Sequence, residues 1–494
     1  MLVLSDAAAE PTTASQPASK NFLFAVASIV VALIVLRVVL FWVKPFWLDE
    51  TYSGASVYFE SLGSLFKNWI VPDVHPPLYP VFLFVWCKLF GAWDLALRLP
   101  SLIFGVGAIC VLFFGLRRII GASSAAIAAL VLAAAPNANI YSAEARPYGL
   151  VLLLSVLATV FAIRYALTRR KSAAVSFTLA AIALSLTHYF GLLLCCGLFL
   201  WLILRDWRNA GALILPCLCF AVAVTPWLVY HFPTLLSKSG GHFWIRRHSI
   251  AGDIYVALTG AWGEDRIPNA LIFELFVPFI AVLAMRRRAP ALCRIAVALF
   301  ALTAVELAIV VGVARSSPVI VSRYFLVFTP IAAVIAGIMV GPLGRPFCWV
   351  YALALPFAVT LPWAASYFRF IPSNTIAWEV PEQRLLKAHA ATVIFFLDDP
   401  LNIQCSDYQL RRLGEFFFRR GGSNIAVVPI SLKSPTLRAD IAEEIVGGAK
   451  PVAILKPTTP IFGYENHDAL LASLAKSYDG DCFTMENSKA CIFH

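Results

Sequence analysis

The chain has 494 residues, 60% of them hydrophobic and only 14% charged, with a formal net charge of +11 and a mean hydropathy of +0.80. Soluble globular chains carry about 25% charged residues, so this composition excludes a soluble enzyme and points to an integral membrane protein. The basic excess does not indicate nucleic acid, because Lys and Arg come mostly as short clusters between apolar segments, as in the cytoplasmic loops of membrane proteins.

Residues 1–20 are rich in Ala, Ser, Thr and Pro and lack the basic start and apolar core of a cleaved signal; a disordered cytoplasmic leader is expected there. A bilayer-crossing helix needs about 20 apolar residues, and its orientation follows from the flanking basic clusters. With the N-terminus inside, Phe22–Val43 exits and delivers Asp49 and Glu50 to the outer face. Leu78–Phe90 is apolar but short. As an interfacial helix it lets Leu99–Leu116 cross back to Arg117 and Arg118; as a span it would invert every later cluster. On the first reading Ser124–Ile140, Gly149–Leu167, Ala173–Thr187, Phe190–Leu204, Ala212–Tyr230, Leu271–Met285, Ile295–Val313, Tyr324–Gly341 and Trp349–Phe368 alternate, for about eleven spans. Their multi-basic clusters then face inward, with Arg246–Arg247 in a long outer loop as the exception. The expected division is a leader at 1–20, a membrane domain at 21–368 with its first outer loop at 44–98, and a C-terminal domain at 369–494 outside.

From about Ser373 the pattern changes to mixed charged and apolar runs. Short strand-like runs at Thr392–Leu397, Ile425–Pro429 and Val452–Leu455, with polar helical stretches at Pro381–Ala390 and Pro435–Ile445, predict a small α/β domain. Of the 11 cysteines, most lie in apolar helices, where Cys acts as a small hydrophobe. Cys482 and Cys491 could close a disulfide if the tail is extracytoplasmic.

The threading brings five polar motifs to one face: WLDE (47–50), DVHPPLY (73–79), SAEARPY (142–148), THYF (187–190) and VSRYF (321–325). Each has an ordinary explanation. Asp49 and Glu50 could merely end a helix, but the aromatics Phe41, Trp42, Phe46 and Trp47 anchor them at headgroup depth, where a partly desolvated carboxylate can act as general base. Pro76 and Pro77 stiffen the chain beside His75, which either caps a helix or joins Asp73 as a hydrogen-bonding or metal-capable group. Glu144 and Arg146 could be a surface ion pair of little energetic weight. Alternatively Arg146 binds phosphate through its planar fork, and Glu144 orients a sugar hydroxyl, Arg146 or a metal. Arg323 and Tyr324 repeat the theme, with Arg246, Arg247 and Arg266 as further cations, and His188 reads first as an interfacial histidine. Glu306, alone in its span, is explained by pairing with a neighbouring helix.

In this order the motifs resemble those of the GT-C superfamily of membrane glycosyltransferases, in the branch with protein O-mannosyltransferases and the aminoarabinose transferases of lipid A. The likeness rests on WLDE, DVHPPLY, GAWDLALRLPSLIFG, SAEARPYGL and SRYFLVFTP and covers roughly residues 20–365. It departs from the aminoarabinose transferases at His75-Pro76, where they carry Lys-Pro. The resemblance implies an enzyme that takes a sugar from a polyprenyl-phosphate carrier with inversion and passes it to a glycan, lipid or protein acceptor at the outer face of the cytoplasmic membrane. It implies Asp49 as base with Glu50 beside it, and His75, Glu144, Arg146, Tyr148, His188, Arg323 and Tyr324 as substrate-binding residues. The leaving lipid phosphate would need cationic stabilisation rather than a general acid, with Arg146 and Arg323 first for that role. No cofactor is implied, and a divalent metal at Asp49, Glu50 and His75 stays open. An oligosaccharide ligase or polymerase would use the same donors. A secondary transporter would place its polar residues near the midplane, unlike this chain.

Overall fold

The computed structural model describes residues 19–44, 46, 48–239, 249–260, 290–317 and 319–370, and in the C-terminal part 385, 387–395, 412, 415–416, 425–430, 436–457, 468–485 and 488–494. By internal packing the chain divides into one unit of residues 1–44, 98–228 and 247–369 and a second of residues 45–97, 229–246 and 370–494. Residues 1–18 of the expected leader and the expected span Leu271–Met285 lie outside the described residues, and Lys20, the leader's last residue, already begins the first helix.

The first unit is helical. Its long elements are α1 (Lys20–Val43), the part of α5 (Asp94–Leu116) after Leu97, α8 (Tyr148–Thr168) and most of α11 (Ile214–Ser239). Shorter ones are α6 (Ala122–Ala134), α7 (Pro136–Tyr141), α9 (Lys171–Ser185), α10 (Tyr189–Arg205) and α12 (Ile250–Thr259). It is completed by α13 (Pro290–Ala314), a 3₁₀ turn (Ser322–Phe328), α14 (Thr329–Val340), α15 (Arg345–Leu355) and α16 (Leu361–Phe370). Among the described residues seven stretches are long and apolar enough to cross a bilayer. Three further expected spans fall on the shorter α6, α9 and α10. Large apolar side chains stand exposed along the outer helices, among them Phe24 at 76%, Val222 at 73% and Leu215 at 69%. In water such faces would aggregate; in lipid they are solvated, and the chain is a multi-pass membrane protein.

Small residues bring α6 and α14 together. Gly337 and Gly341 repeat at a spacing of four, the pattern that lets helix backbones approach, and a Cβ at Gly341 would lie 2.8 Å from Ser124 Cα. The expected span Ser124–Ile140 is broken at Ala135, which takes an extended conformation (φ −62°, ψ 119°) ahead of Pro136 at the first position of α7, as the residue before a proline should. The break frees carbonyls, and a buried arginine of α1 takes them up. Arg37 is fully buried; its Nη2 donates to Leu132 O at 3.0 Å, its Nε to Asn139 Oδ1 at 2.8 Å and its Nη1 to Gly105 O at 3.0 Å. A cation inside a span is costly, and this one persists because neutral acceptors surround it. Glu306 of α13 is also buried. Neither of its carboxyl oxygens has a hydrogen-bond partner among the described residues, so the expected pairing with a neighbouring helix is packing, against Gly197 of α10.

The second unit holds α2 (Leu48–Ala55), α3 (Leu62–Leu65) with a π turn after it (Phe66–Ile70), and α4 (Leu78–Phe90). At 13 residues α4 rises about 20 Å, less than the roughly 30 Å hydrocarbon core, and it packs with the loop unit. Here too lie strands β1 (Thr392–Phe395), β2 (Ala426–Pro429), β3 (Val452–Pro457), β4 (Gly480–Met485) and β5 (Ser488–Phe493), and helices α17 (Leu437–Gly447) and α18 (Asp468–Ser477). The sheet order is β2-β1-β3-β5-β4, with β1 parallel to β2 and β3 and β5 antiparallel to β3 and β4. Alternate residues feed two cores. Ile394, Val452, Ile454, Cys491 and Phe493 pack with Ile441 and Leu474 on one face, and Val393, Ala453, Ala490 and Ile492 with Leu385 on the other.

Cys482 and Cys491 are paired across the β4–β5 ladder and form a disulfide. Their separation of 9 residues gives a chain-entropy contribution of about 2–3 kcal/mol. The double change Cys482→Ser, Cys491→Ser is therefore expected to lower the stability of this domain by that amount, read as an earlier thermal transition that reductant also produces in the native chain.

Candidate functional site

In the first unit, five chain segments bring charged and aromatic groups together at helix termini. Lys44 follows α1, and its Nζ meets Glu144 Oε1 at 2.7 Å, with the two side chains only 10% and 2% exposed. Arg98, near the start of α5, donates to the carbonyls of Lys44 at 2.6 Å and Phe41 at 3.4 Å. It thereby holds the end of α1, where carbonyls lack helical partners. Glu144 and Arg146 sit in the turn between α7 and α8, tightened by Arg146 N donating to Glu144 O at 2.8 Å.

Arg146 is buried, with its guanidinium 6.0 Å from the Tyr148 ring centre. Tyr148, also buried, bonds through its hydroxyl to Arg323 Nε at 3.0 Å. His188 packs 6.0 Å from Tyr148 and 5.0 Å from Tyr324. As the N-cap of α10 it accepts the Phe190 backbone N–H on Nδ1 at 3.2 Å, so its neutral ring carries the proton on Nε2. Of the residues expected from sequence, Glu144, Arg146, Tyr148, His188, Arg323 and Tyr324 all belong to this cluster. Arg246, Arg247 and Arg266 lie outside the described residues.

The turn is pressed against α5. Ser101 Oγ donates to Arg146 O at 3.2 Å, and a Cβ at Gly149 would stand 2.7 Å from Ser101 O. Gly149→Ala is expected to push α8 off α5 at an overpacking cost of about 1–3 kcal/mol and to lower turnover through displaced Arg146; thermal unfolding in detergent and a transfer assay read the two effects.

In the second unit, Asp49 and Glu50 occupy the first turn of α2, where carboxylates favour the helix dipole. Glu50 is fully buried and Asp49 partly exposed; Ser53 Oγ donates to Asp49 O at 3.4 Å. Further on, the Asp73 carboxylate lies 3.1 Å and 3.2 Å from His75 Nδ1 and accepts from Val74 N at 2.6 Å. With Nδ1 held by Asp73, Nε2 is the His75 ring nitrogen left for another partner. The Asp73 carbonyl is itself fixed by buried His231, whose Nε2 donates to it at 2.7 Å. Among the described residues no three His, Cys, Asp or Glu side chains converge as a metal site.

Sequence reasoning passed over Lys44, Arg98 and His231. The first two stand inside quoted motifs, FWVKPFW and WDLALRLP, as single cations beside aromatics; His231 carries no local signal.

Residues 74–230 match the family model described as dolichyl-phosphate-mannose-protein mannosyltransferase. The fold is similar to that of ArnT from Cupriavidus metallidurans bound to undecaprenyl phosphate, with a TM-score of 0.61 and 15% identity over 96% of this chain and 98% of that one. The apo form of ArnT is similar to this chain with a TM-score of 0.56 and 17% identity, over 95% of this chain and 98% of that one. A comparison with curated protein sequences finds no match. The matched segment contains His75, Glu144, Arg146, Tyr148 and His188, and so draws on both clusters.

Proposed function

We propose that this enzyme moves a sugar from a polyprenyl-phosphate carrier, with inversion at the anomeric carbon, to an acceptor hydroxyl of a glycan, lipid or protein at the outer face of the cytoplasmic membrane. The observation that carries this reading is the excess of cations in the first-unit cluster, where Lys44, Arg98, Arg146 and Arg323 outnumber Glu144. Such a group suits a lipid phosphate whose charge grows as it departs, and ArnT, similar in fold, has been crystallised with undecaprenyl phosphate. The Cys482–Cys491 disulfide supports placing the C-terminal domain in an oxidising compartment.

In this mechanism the Asp49 carboxylate takes the proton of the acceptor hydroxyl. The acceptor oxygen bonds to the anomeric carbon from the side opposite the phosphate, and the bond from that carbon to the phosphate oxygen breaks with its electron pair. Polyprenyl phosphate leaves as a more charged monoester. Arg146, with its planar fork, and Arg323, oriented by the Tyr148 hydroxyl, hold that anion; Lys44 is positioned by Glu144. His75, steered by Asp73, orients the sugar and acceptor hydroxyls, Glu50 is the buried neighbour of Asp49 on α2, and His188, Tyr148 and Tyr324 form the aromatic wall.

The test incubates purified protein with radiolabelled undecaprenyl-phosphate-linked mannose, aminoarabinose and related sugars plus membrane extract. Transfer of label with release of undecaprenyl phosphate and inverted anomeric configuration is expected. Transfer from sugar nucleotides but from no lipid-phosphate donor would overturn the reading.

A further inference from the structure

We propose that Phe416 and Arg412 of the C-terminal region are positioning residues for α2, and that this region therefore belongs to the catalytic apparatus. The inference rests on the role proposed above for Asp49. Phe416 is fully buried, yet its ring packs on the first outer loop and not on the sheet cores. It lies 5.9 Å from Phe46 and 5.7 Å from Tyr58, residues that bracket α2 in the chain. Between them Gly54 of α2 faces the ring so closely that a Cβ there would stand 2.7 Å from Cε1 and nearer still to Cζ. The absence of a side chain at Gly54 is what seats the ring.

Arg412, four residues earlier, pairs with Glu415 at 3.1 Å and sets its guanidinium 5.2 Å from the Phe59 ring centre. Phe59 in turn meets Trp69 at 5.8 Å, and Trp69 stacks on Tyr52 of α2 at 4.4 Å. The helix is thus gripped at Gly54 by the C-terminal region and at Tyr52 by the loop itself.

The geometry of α2 says what this grip does. Glu50 and Gly54 are four apart and share a face, so the Phe416 side is the side of fully buried Glu50. Asp49 is turned about 100° from Glu50 and keeps partial exposure. Phe416 therefore fixes the helix rotation that buries Glu50 fully and leaves Asp49 partly exposed, with its Oδ2 turned inward. At 8 residues α2 is too short to hold its orientation unaided, and a base displaced by about 1 Å can cost about a hundredfold in rate.

The experiment measures kcat and KM for the undecaprenyl-phosphate sugar that the wild-type protein turns over. Variants are Phe416→Ala, Phe416→Leu, Gly54→Ala, the double Gly54→Ala, Phe416→Ala, and Asp49→Asn, each checked for an unchanged Cys482–Cys491 disulfide and a cooperative unfolding transition. Phe416→Ala and Gly54→Ala are each expected to lower kcat by about ten- to a hundredfold with KM within about twofold, and Phe416→Leu to recover most of the loss. In the Phe416→Ala background, Gly54→Ala should have no further effect, because the ring it collides with is gone. Wild-type kcat in folded Phe416→Ala and Gly54→Ala would overturn the proposal, as would a rise in KM alone. If Phe416→Ala does not fold, Phe416→Leu and Gly54→Ala decide by the same criteria. Full transfer by Asp49→Asn would instead bring down the role of Asp49, so the two failures are told apart.

Discussion

Asp49→Asn is expected to lower the transfer rate by about 10²–10⁴-fold, the range that general-base catalysis contributes, with little change in KM for the lipid-phosphate donor. The amide keeps the size and the N-terminal position on α2 and removes only the capacity to accept a proton. Binding of the phosphate, assigned to the cations of the other unit, is left intact. Glu50→Gln is a different experiment, since Glu50 is fully buried whereas Asp49 is partly exposed. Its loss should appear in stability as much as in rate. Single-turnover measurement with radiolabelled donor separates these outcomes, and equal rates for Asp49→Asn and wild type would remove Asp49 from the chemistry.

Lys44→Met should be the most damaging single change in the first-unit cluster. The Lys44–Glu144 pair is 2.7 Å long and nearly buried on both sides, and removing one member of such a pair costs about 3–5 kcal/mol because the other charge stays behind in a poorly solvated place. Glu144→Gln should cost less, since an ammonium on a flexible stem can move toward water. The double change Lys44→Met, Glu144→Gln is expected to recover much of the stability lost in Lys44→Met, because no uncompensated charge is left. It should not recover the rate, since a cation near the departing phosphate is still missing. Thermal unfolding in detergent and the transfer assay, run as a double-mutant cycle, give the two quantities separately. Additive stability losses would show that the two groups act independently.

The spans were legible because each is a local property. An apolar run of the right length announces itself whatever it packs against, and the expected Gly149–Leu167 and Phe190–Leu204 differ from α8 and α10 by only a residue or so at each end. Strands β1, β2 and β3 were legible for the same reason, as short apolar runs between polar ones. Strands β4 and β5 were not, because GDCFTM and SKACIF are interrupted by polar residues and become strands through pairing, β4 with β5 and β5 with β3. The break in Ser124–Ile140 was written at Pro136 but outweighed by the apolar run around it.

Composition and periodicity established that this is a many-helix membrane protein with a small α/β domain after it. The motifs SAEARPY, THYF and VSRYF were enough to select Glu144, Arg146, Tyr148, His188, Arg323 and Tyr324, which the fold gathers into one cluster. Only the tertiary structure decided what each group faces. It assigned Glu144 to Lys44 rather than to its sequence neighbour Arg146, gave Arg37 the carbonyls released at the α6–α7 break, and set Phe416 against Gly54. The physical reason is the same in each case. A helix or strand follows from residues a few positions apart, whereas the partner of a buried charge or ring depends on which faces of distant segments meet, and no short-range pattern encodes that meeting.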